Sequence, residues 1–188
     1  MTMMSRRAFG ALAASVLATA GATGAFAQDL ENTLYMDLSY GRVVIQLRPD
    51  VAPKTVARIK ELVRQGFYDG TPFHRVIRDF MAQGGDPTGT GTGGSGRRLE
   101  AEFSALKHER GTVSMARGSD VNSADSQFFI CFAPAPFLDG KYTIFGQVTS
   151  GMEYIDAIKR GSGPNGMVSD PDHIIRMQVA ADAEKAKP

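Results

Sequence analysis

The sequence predicts one mainly β domain: a sheet of about eight short strands closed into a barrel, with two helices. Three observations predict it. Short runs of alternating apolar and polar residues recur at close spacing from Thr33 to Val179. Only two stretches change to a helical period. The length of 188 residues suits a single domain, and such a domain can bury a core without metals or disulfides.

The elements follow in order. Thr33–Tyr40 places Leu34, Met36 and Leu38 on one face. Gly41 turns the chain, and Arg42–Arg48 repeats the pattern with Val43, Ile45 and Leu47, which predicts a hairpin. Pro53–Gln65 brings Val56, Ile59, Leu62 and Val63 onto one helical stripe, with Pro53 in the first turn and Gly66 as the stop. Strands are predicted at Phe73–Ile77, Phe80–Gln83, Thr112–Ala116, Gln127–Phe132, Thr143–Val148 and His173–Val179. A second helix is predicted over Met152–Lys159, and a mobile tail follows Ala180.

Residues 1–27 are read separately, as a signal peptide ahead of a domain at residues 28–180. Arg6 and Arg7 precede an uncharged segment rich in Ala, Gly and Thr that ends in Ala25-Phe26-Ala27. That order is the pattern of a secretory signal cleaved after Ala27, which implies a periplasmic location. Ser5-Arg6-Arg7-Ala8-Phe9 also resembles a twin-arginine signal, although no leucine follows Phe9. Removing the two arginines and no acid turns the net charge from +1 to −1.

Composition excludes several classes. A near-neutral chain has no basic footprint for nucleic acid. His74, His108 and His173 lie far apart, without a second ligand at metal spacing. Cys131 stands alone in the apolar run Phe128–Phe132, so it is read as a buried thiol. The segment Gly84–Gly96 has seven glycines in thirteen residues. It lacks the lysine of a nucleotide-binding loop, so it is read as a surface loop that uses positive φ angles. Serine chemistry has no G-x-S-x-G elbow to support it.

What remains is a basic residue among apolar ones in Phe73-His74-Arg75-Val76-Ile77-Arg78-Asp79-Phe80-Met81-Ala82-Gln83-Gly84-Gly85-Asp86. Strand alternation puts Phe73, Arg75 and Ile77 on one face and His74, Val76 and Arg78 on the other. On pattern alone, an arginine here is a solvated strand residue.

The same run resembles the central signature of the cyclophilin-type peptidyl-prolyl isomerases. Further anchors are Ala52-Pro53-Lys54-Thr55-Val56, Gly66-Phe67-Tyr68, Ser114-Met115-Ala116, Ser126-Gln127-Phe128-Phe129-Ile130, Leu138-Asp139-Gly140-Lys141 and Phe145-Gly146. The resemblance spans Tyr35 to about Val179. It implies an eight-stranded antiparallel barrel closed by two helices, with a groove on its outer face. It implies rotation of X–Pro peptide bonds, with no cofactor and no metal. Arg75 would be the catalytic cation, with Gln83 and Phe80 completing the catalytic group. His74, Met81, Ala116, Arg117, Gln127, Phe129, Phe137, Leu138 and Tyr142 would bind a proline-containing polypeptide. Arg117 stands where asparagine is common, and the family contact there is through backbone, so its side chain is discounted. Phe137 replaces a tryptophan and Tyr142 a histidine of eukaryotic members, so weak cyclosporin binding is expected. The chain is expected to be a monomer without a membrane span after cleavage. The alternative is a proline-peptide binding module or chaperone without catalysis, but such a protein would be expected to change the arginine or the pocket.

Overall fold

The computed structural model describes residues 29–185, so the predicted signal segment lies outside the described residues. Eight strands form one antiparallel sheet: β1 (Thr33–Leu38), β2 (Gly41–Leu47), β3 (Arg75–Ile77), β4 (Met81–Gly84), β5 (Thr112–Met115), β6 (Phe128–Cys131), β7 (Ile144–Ser150) and β8 (Arg176–Val179). Their spatial order is β3-β4-β6-β5-β7-β2-β1-β8. Each predicted strand is present and trimmed at one or both ends, while β2, β4 and β7 also extend past the other end, to Gly41, Gly84 and Ser150.

The expected closed barrel is a curled sheet whose end strands share no ladder. Thr71–Phe73 and Asp172–Ile174, which precede β3 and β8, meet in a single bridge between Pro72 and His173. The outer edge of β3 is occupied instead by residues 161–168. Val76 donates to the Gly166 carbonyl at 2.7 Å, and Val168 donates to the His74 carbonyl at 2.9 Å. That segment covers the hydrogen-bonding edge that β8 would need.

Helix α1 (Pro53–Arg64) buries the predicted stripe of Val56, Ile59, Leu62 and Val63. Ala52 offers no side-chain cap. The Glu102 carboxylate supplies one from a distance, accepting from the N–H groups of Lys54 (3.0 Å) and Thr55 (2.8 Å). The helix ends at Gly66 in the left-handed conformation, φ 69°. Phe67 N–H bonds to Leu62 and Gly66 N–H to Val63, a Schellman motif.

Helix α2 (Met152–Ala157) is two residues shorter than expected. Ile158 turns extended into the core, and Lys159 N–H donates to Asp172 instead of continuing the helix. A third helix, α3 (Ala180–Lys185), forms where a mobile tail was expected. Ala180 is buried, and Asp182 pairs with Arg64 of α1 at 2.8 Å.

The main core lies between the inner sheet face and the helices, with Tyr68, Phe73, Phe128 and Phe145 as its largest buried rings. Phe73 belongs to this core and not to the face of Arg75. It precedes β3, so strand alternation does not govern it. A second apolar cluster of Met81, Phe129, Cys131, Ala135 and Leu138 lies on the other face of β4 and β6. Both faces of these strands are therefore covered, and the groove sits on the outer one.

Candidate active site

Strand register builds the centre of the site. Arg75 on β3 stands opposite Gln83 on β4, and Gln83 stands opposite Phe129 on β6. The next pairs along the same face are Ile77 with Met81 and Met81 with Cys131. A period of two thus sets a cation and an amide beside a patch of apolar side chains.

A directed chain of hydrogen bonds leads away from Arg75. Its Nη1 donates to Gln83 Oε1 at 3.0 Å, and its Nε donates to the Asn165 carbonyl at 2.9 Å. Gln83 Nε2 donates to Gln127 Oε1 at 2.9 Å. Gln127 Nε2 donates to the carbonyls of Gly91 (3.0 Å) and Gly93 (2.8 Å). Arginine can only donate, so it fixes the orientation of each amide in turn. Two of its five N–H donors are used in these bonds, and the others remain for the groove.

The Gly-rich loop at the far end of this chain is organised by a carboxylate. Asp86 is fully buried and accepts from the N–H groups of Thr88 (2.7 Å), Gly91 (2.7 Å) and Gly93 (3.1 Å), and from the Thr88 hydroxyl (2.8 Å). Burial pushes its carboxyl up, but the bonds from Thr88, Gly93 and Gly91 outweigh it and hold the group below its ordinary value. A Cβ at Gly93 would lie 2.1 Å from Asp86 Oδ1, so this close approach requires glycine. The surface-loop reading holds, with positive φ at Gly85, Gly89, Gly91 and Gly96.

Beside Arg75 lies a groove of about 570 Å³, lined by every predicted site residue except Gln127. Met81, Phe129 and Leu138 form its buried floor. Phe80 and Phe137 pack at 5.3 Å between ring centres, and Tyr142 meets Phe129 edge-on at 5.9 Å. Gln127 lines an adjoining pocket of about 400 Å³, which shares Gln83, Gly91, Ala116 and Arg117 with the first.

Of the groove-lining residues, His74, Ala116 and Arg117 have constrained local surroundings. His74 is buried, and burial lowers its pKa, so it is neutral near pH 7. Neither ring nitrogen makes a well-formed hydrogen bond, although the Pro72 backbone weakly favours the charged form. Ala116 N–H is already committed to the Gln127 carbonyl at 2.9 Å. The Arg117 side chain, discounted in the sequence, spans the rim. It lies over the Tyr142 ring at 4.5 Å and donates to the Lys141 carbonyl at 2.9 Å.

Sequence reasoning missed Asn165, Met167, Lys141 and Asp86. Asn165 and Met167 reach Arg75 from about ninety residues away, through a bridge that local pattern cannot show. The lone acid in a Gly/Thr loop was the one available signal for Asp86. Ser114, His108 and Asp139 also fall in line, with His108 3.1 Å from Asp139 and 3.2 Å from Ser114. Ser114 is fully buried and donates to the Thr143 carbonyl, so no substrate reaches it. His108 instead stacks on Phe129 at 6.1 Å and braces the groove floor.

The family described as cyclophilin type peptidyl-prolyl cis-trans isomerase matches residues 33–179. A protein of Brucella suis named a probable peptidyl-prolyl cis-trans isomerase is 48% identical, over 95% of this chain and 98% of its own. The Dictyostelium discoideum isomerase cypE is 44% identical over 78% of this chain and 96% of its own. Among solved structures, a Cryptosporidium parvum cyclophilin crystallised in the presence of the dipeptide Ala-Pro superposes with TM-score 0.73 and 34% identity, over 78% of this chain and 98% of that one. With this match across nearly all of the described chain, and with the signature residues gathered at one groove, the protein belongs to the cyclophilin-type peptidyl-prolyl cis-trans isomerases.

Proposed function

We propose that Arg75 drives the isomerisation and that the protein acts on exported polypeptides. The uncatalysed barrier to rotation is about 18–20 kcal/mol, because nitrogen donates into the carbonyl. Before proline, cis and trans differ by only about 0.5–1 kcal/mol, so both are populated and exchange is slow. No covalent bond breaks. A catalyst need only hold the twisted amide better than the planar one.

In the twisted amide the proline nitrogen regains its lone pair. A fixed cation donating toward that nitrogen lowers the barrier. Arg75 fits, because Gln83 and Asn165 hold its guanidinium while donors remain free. The proline ring would rest on Met81, Phe129 and Leu138, with Phe80 and Phe137 as an aromatic wall. Excluding water there strengthens the electrostatic term. Gln83 positions the arginine and Gln127 anchors the loop. Among the described residues the Arg117 backbone N–H and C=O have no partner, and they would pair with an extended peptide. His74 serves packing, since no proton has to move.

The observation that carries this reading is the register of Arg75 with Gln83 beside the apolar floor. Exchange of a short proline peptide, followed by NMR, tests it. The intact arginine and pocket favour catalysis over a binding module. The periplasmic location rests on residues 1–27, and N-terminal sequencing of the exported protein tests it, with Gln28 as the expected first residue. Weak cyclosporin binding and a monomeric state complete the proposal.

A further inference from the structure

We infer that this groove selects X–Pro segments carrying an acidic side chain close to the proline, and that Arg98 and Arg117 hold that side chain. The inference rests on the isomerase reading of the groove and names a substrate class for it.

The pocket adjoining the apolar groove is lined by Gly91–Gly94 and by Arg117, Gly118 and Ser123. Arg98 and Arg117 supply its cations, and Asp125 is its carboxylate. Asp125 is already occupied: it accepts from Ser95 N–H at 2.8 Å, from the Ser95 hydroxyl, and from Gly96 N–H at 2.9 Å. The Arg117 guanidinium bonds to the carbonyls of Lys141, Gly118 and Ser119 and lies on the Tyr142 ring. Those partners fix its position without neutralising its charge. Arg98 meets Asp120 only at 3.9 Å, with side chains 74% and 58% exposed, a pairing of little strength.

The same imbalance continues into the apolar groove. Arg75 bonds to an amide and a carbonyl, and Lys141 Nζ donates to the Phe137 carbonyl. Four cations against one carboxylate therefore line the two connected pockets, in a chain of net charge +1. A cleft lined by one sign of charge concentrates ligands of the other. Arg117 lines both pockets, and extended chain advances about 3.3–3.6 Å per residue. A side chain one or two residues from the proline thus comes within its reach.

The test is a peptide scan with the mature exported protein. Glu, Gln or Lys is placed in turn at each of the two positions before and after a single proline, in an otherwise Ala/Gly peptide. Exchange is measured by NMR at low ionic strength. At one position at least, kcat/KM should run Glu above Gln above Lys, with a Glu-to-Gln ratio on the order of fivefold. The ratio should fall toward one at about 0.5 M salt. Arg98→Gln and Arg117→Gln should each lower it, and Arg98 is exposed enough for the fold to survive. Equal turnover of Glu and Gln peptides at every position overturns the inference and leaves the isomerase reading intact. A ratio that both substitutions leave unchanged also overturns it. Failure to turn over any peptide overturns both.

Discussion

Gln83 and Arg75 stand directly across from each other on adjacent strands, and the amide oxygen accepts from the guanidinium at 3.0 Å. Gln83 touches the Gly-rich loop through Gln127, so it couples the cation to the loop's position. Replacing Gln83 with Ala removes a hydrogen bond to a charged group, a contribution of about 1.5–3 kcal/mol. If most of that positions Arg75 in the transition state, kcat/KM falls by roughly tenfold to a hundredfold. The melting temperature should change little by comparison, because Gln83 is only half-buried. A Gln83→Ala protein with wild-type turnover would show that the arginine needs no such brace.

Phe137 is 60% exposed on the groove wall and packs on Phe80 without an N–H to offer a ligand. Cyclosporin should therefore inhibit at micromolar concentration or above. Phe137→Trp should tighten inhibition several-fold, up to about tenfold, the worth of one added hydrogen bond. Inhibition titrations on both proteins check this. Nanomolar inhibition of the wild type contradicts it.

The two buried histidines set a pH dependence of stability. Burial lowers the pKa of both His74 and His108, against a smaller opposing pull from Asp86 on the first and from Asp139 on the second. In the unfolded chain each titrates near about 6.5. As pH falls below that value, the unfolded chain binds protons that the folded chain refuses, so stability drops. The stability is fully present above about pH 7 and declines toward the lowered folded-state values. Asp139, held low by the His108 N–H, adds a separate loss only in the carboxylate range. Urea midpoints measured from pH 8 to 5 should fall, and His74→Phe should reduce the slope. Turnover by the folded protein should stay flat over that window, because no histidine proton takes part. A midpoint that rises on acidification would contradict this account.

The periodic parts of the fold were legible in the sequence. Alternation in Leu34–Leu38 and Val43–Leu47, and the stripe from Val56 to Val63, follow directly from which face meets the core. What escaped depends on partners far along the chain. Phe73 entered the core because it precedes β3, where its N–H bonds to the Asp172 carbonyl and strand alternation no longer applies. Ala180–Lys185 became helical beside Arg64, a contact across more than a hundred residues. Glu102 caps α1 from forty-seven positions away. The site shows the same division. Arg75 carries no mark of its own in the pattern, and family resemblance identified it. The role of the Arg117 side chain needed the Tyr142 ring and the Lys141 carbonyl in place.

The central claim is that a positioned cation, and no proton transfer, accelerates rotation. Arg75→Ala tests it most directly, in a protease-coupled or NMR exchange assay on a proline tetrapeptide. Arg75 is only half-buried, so the variant should fold, and peptide binding should persist on the apolar floor. The account predicts a loss of kcat/KM on the order of 10²–10³, the usual loss for one key electrostatic donor. Unchanged turnover in the folded variant would contradict it.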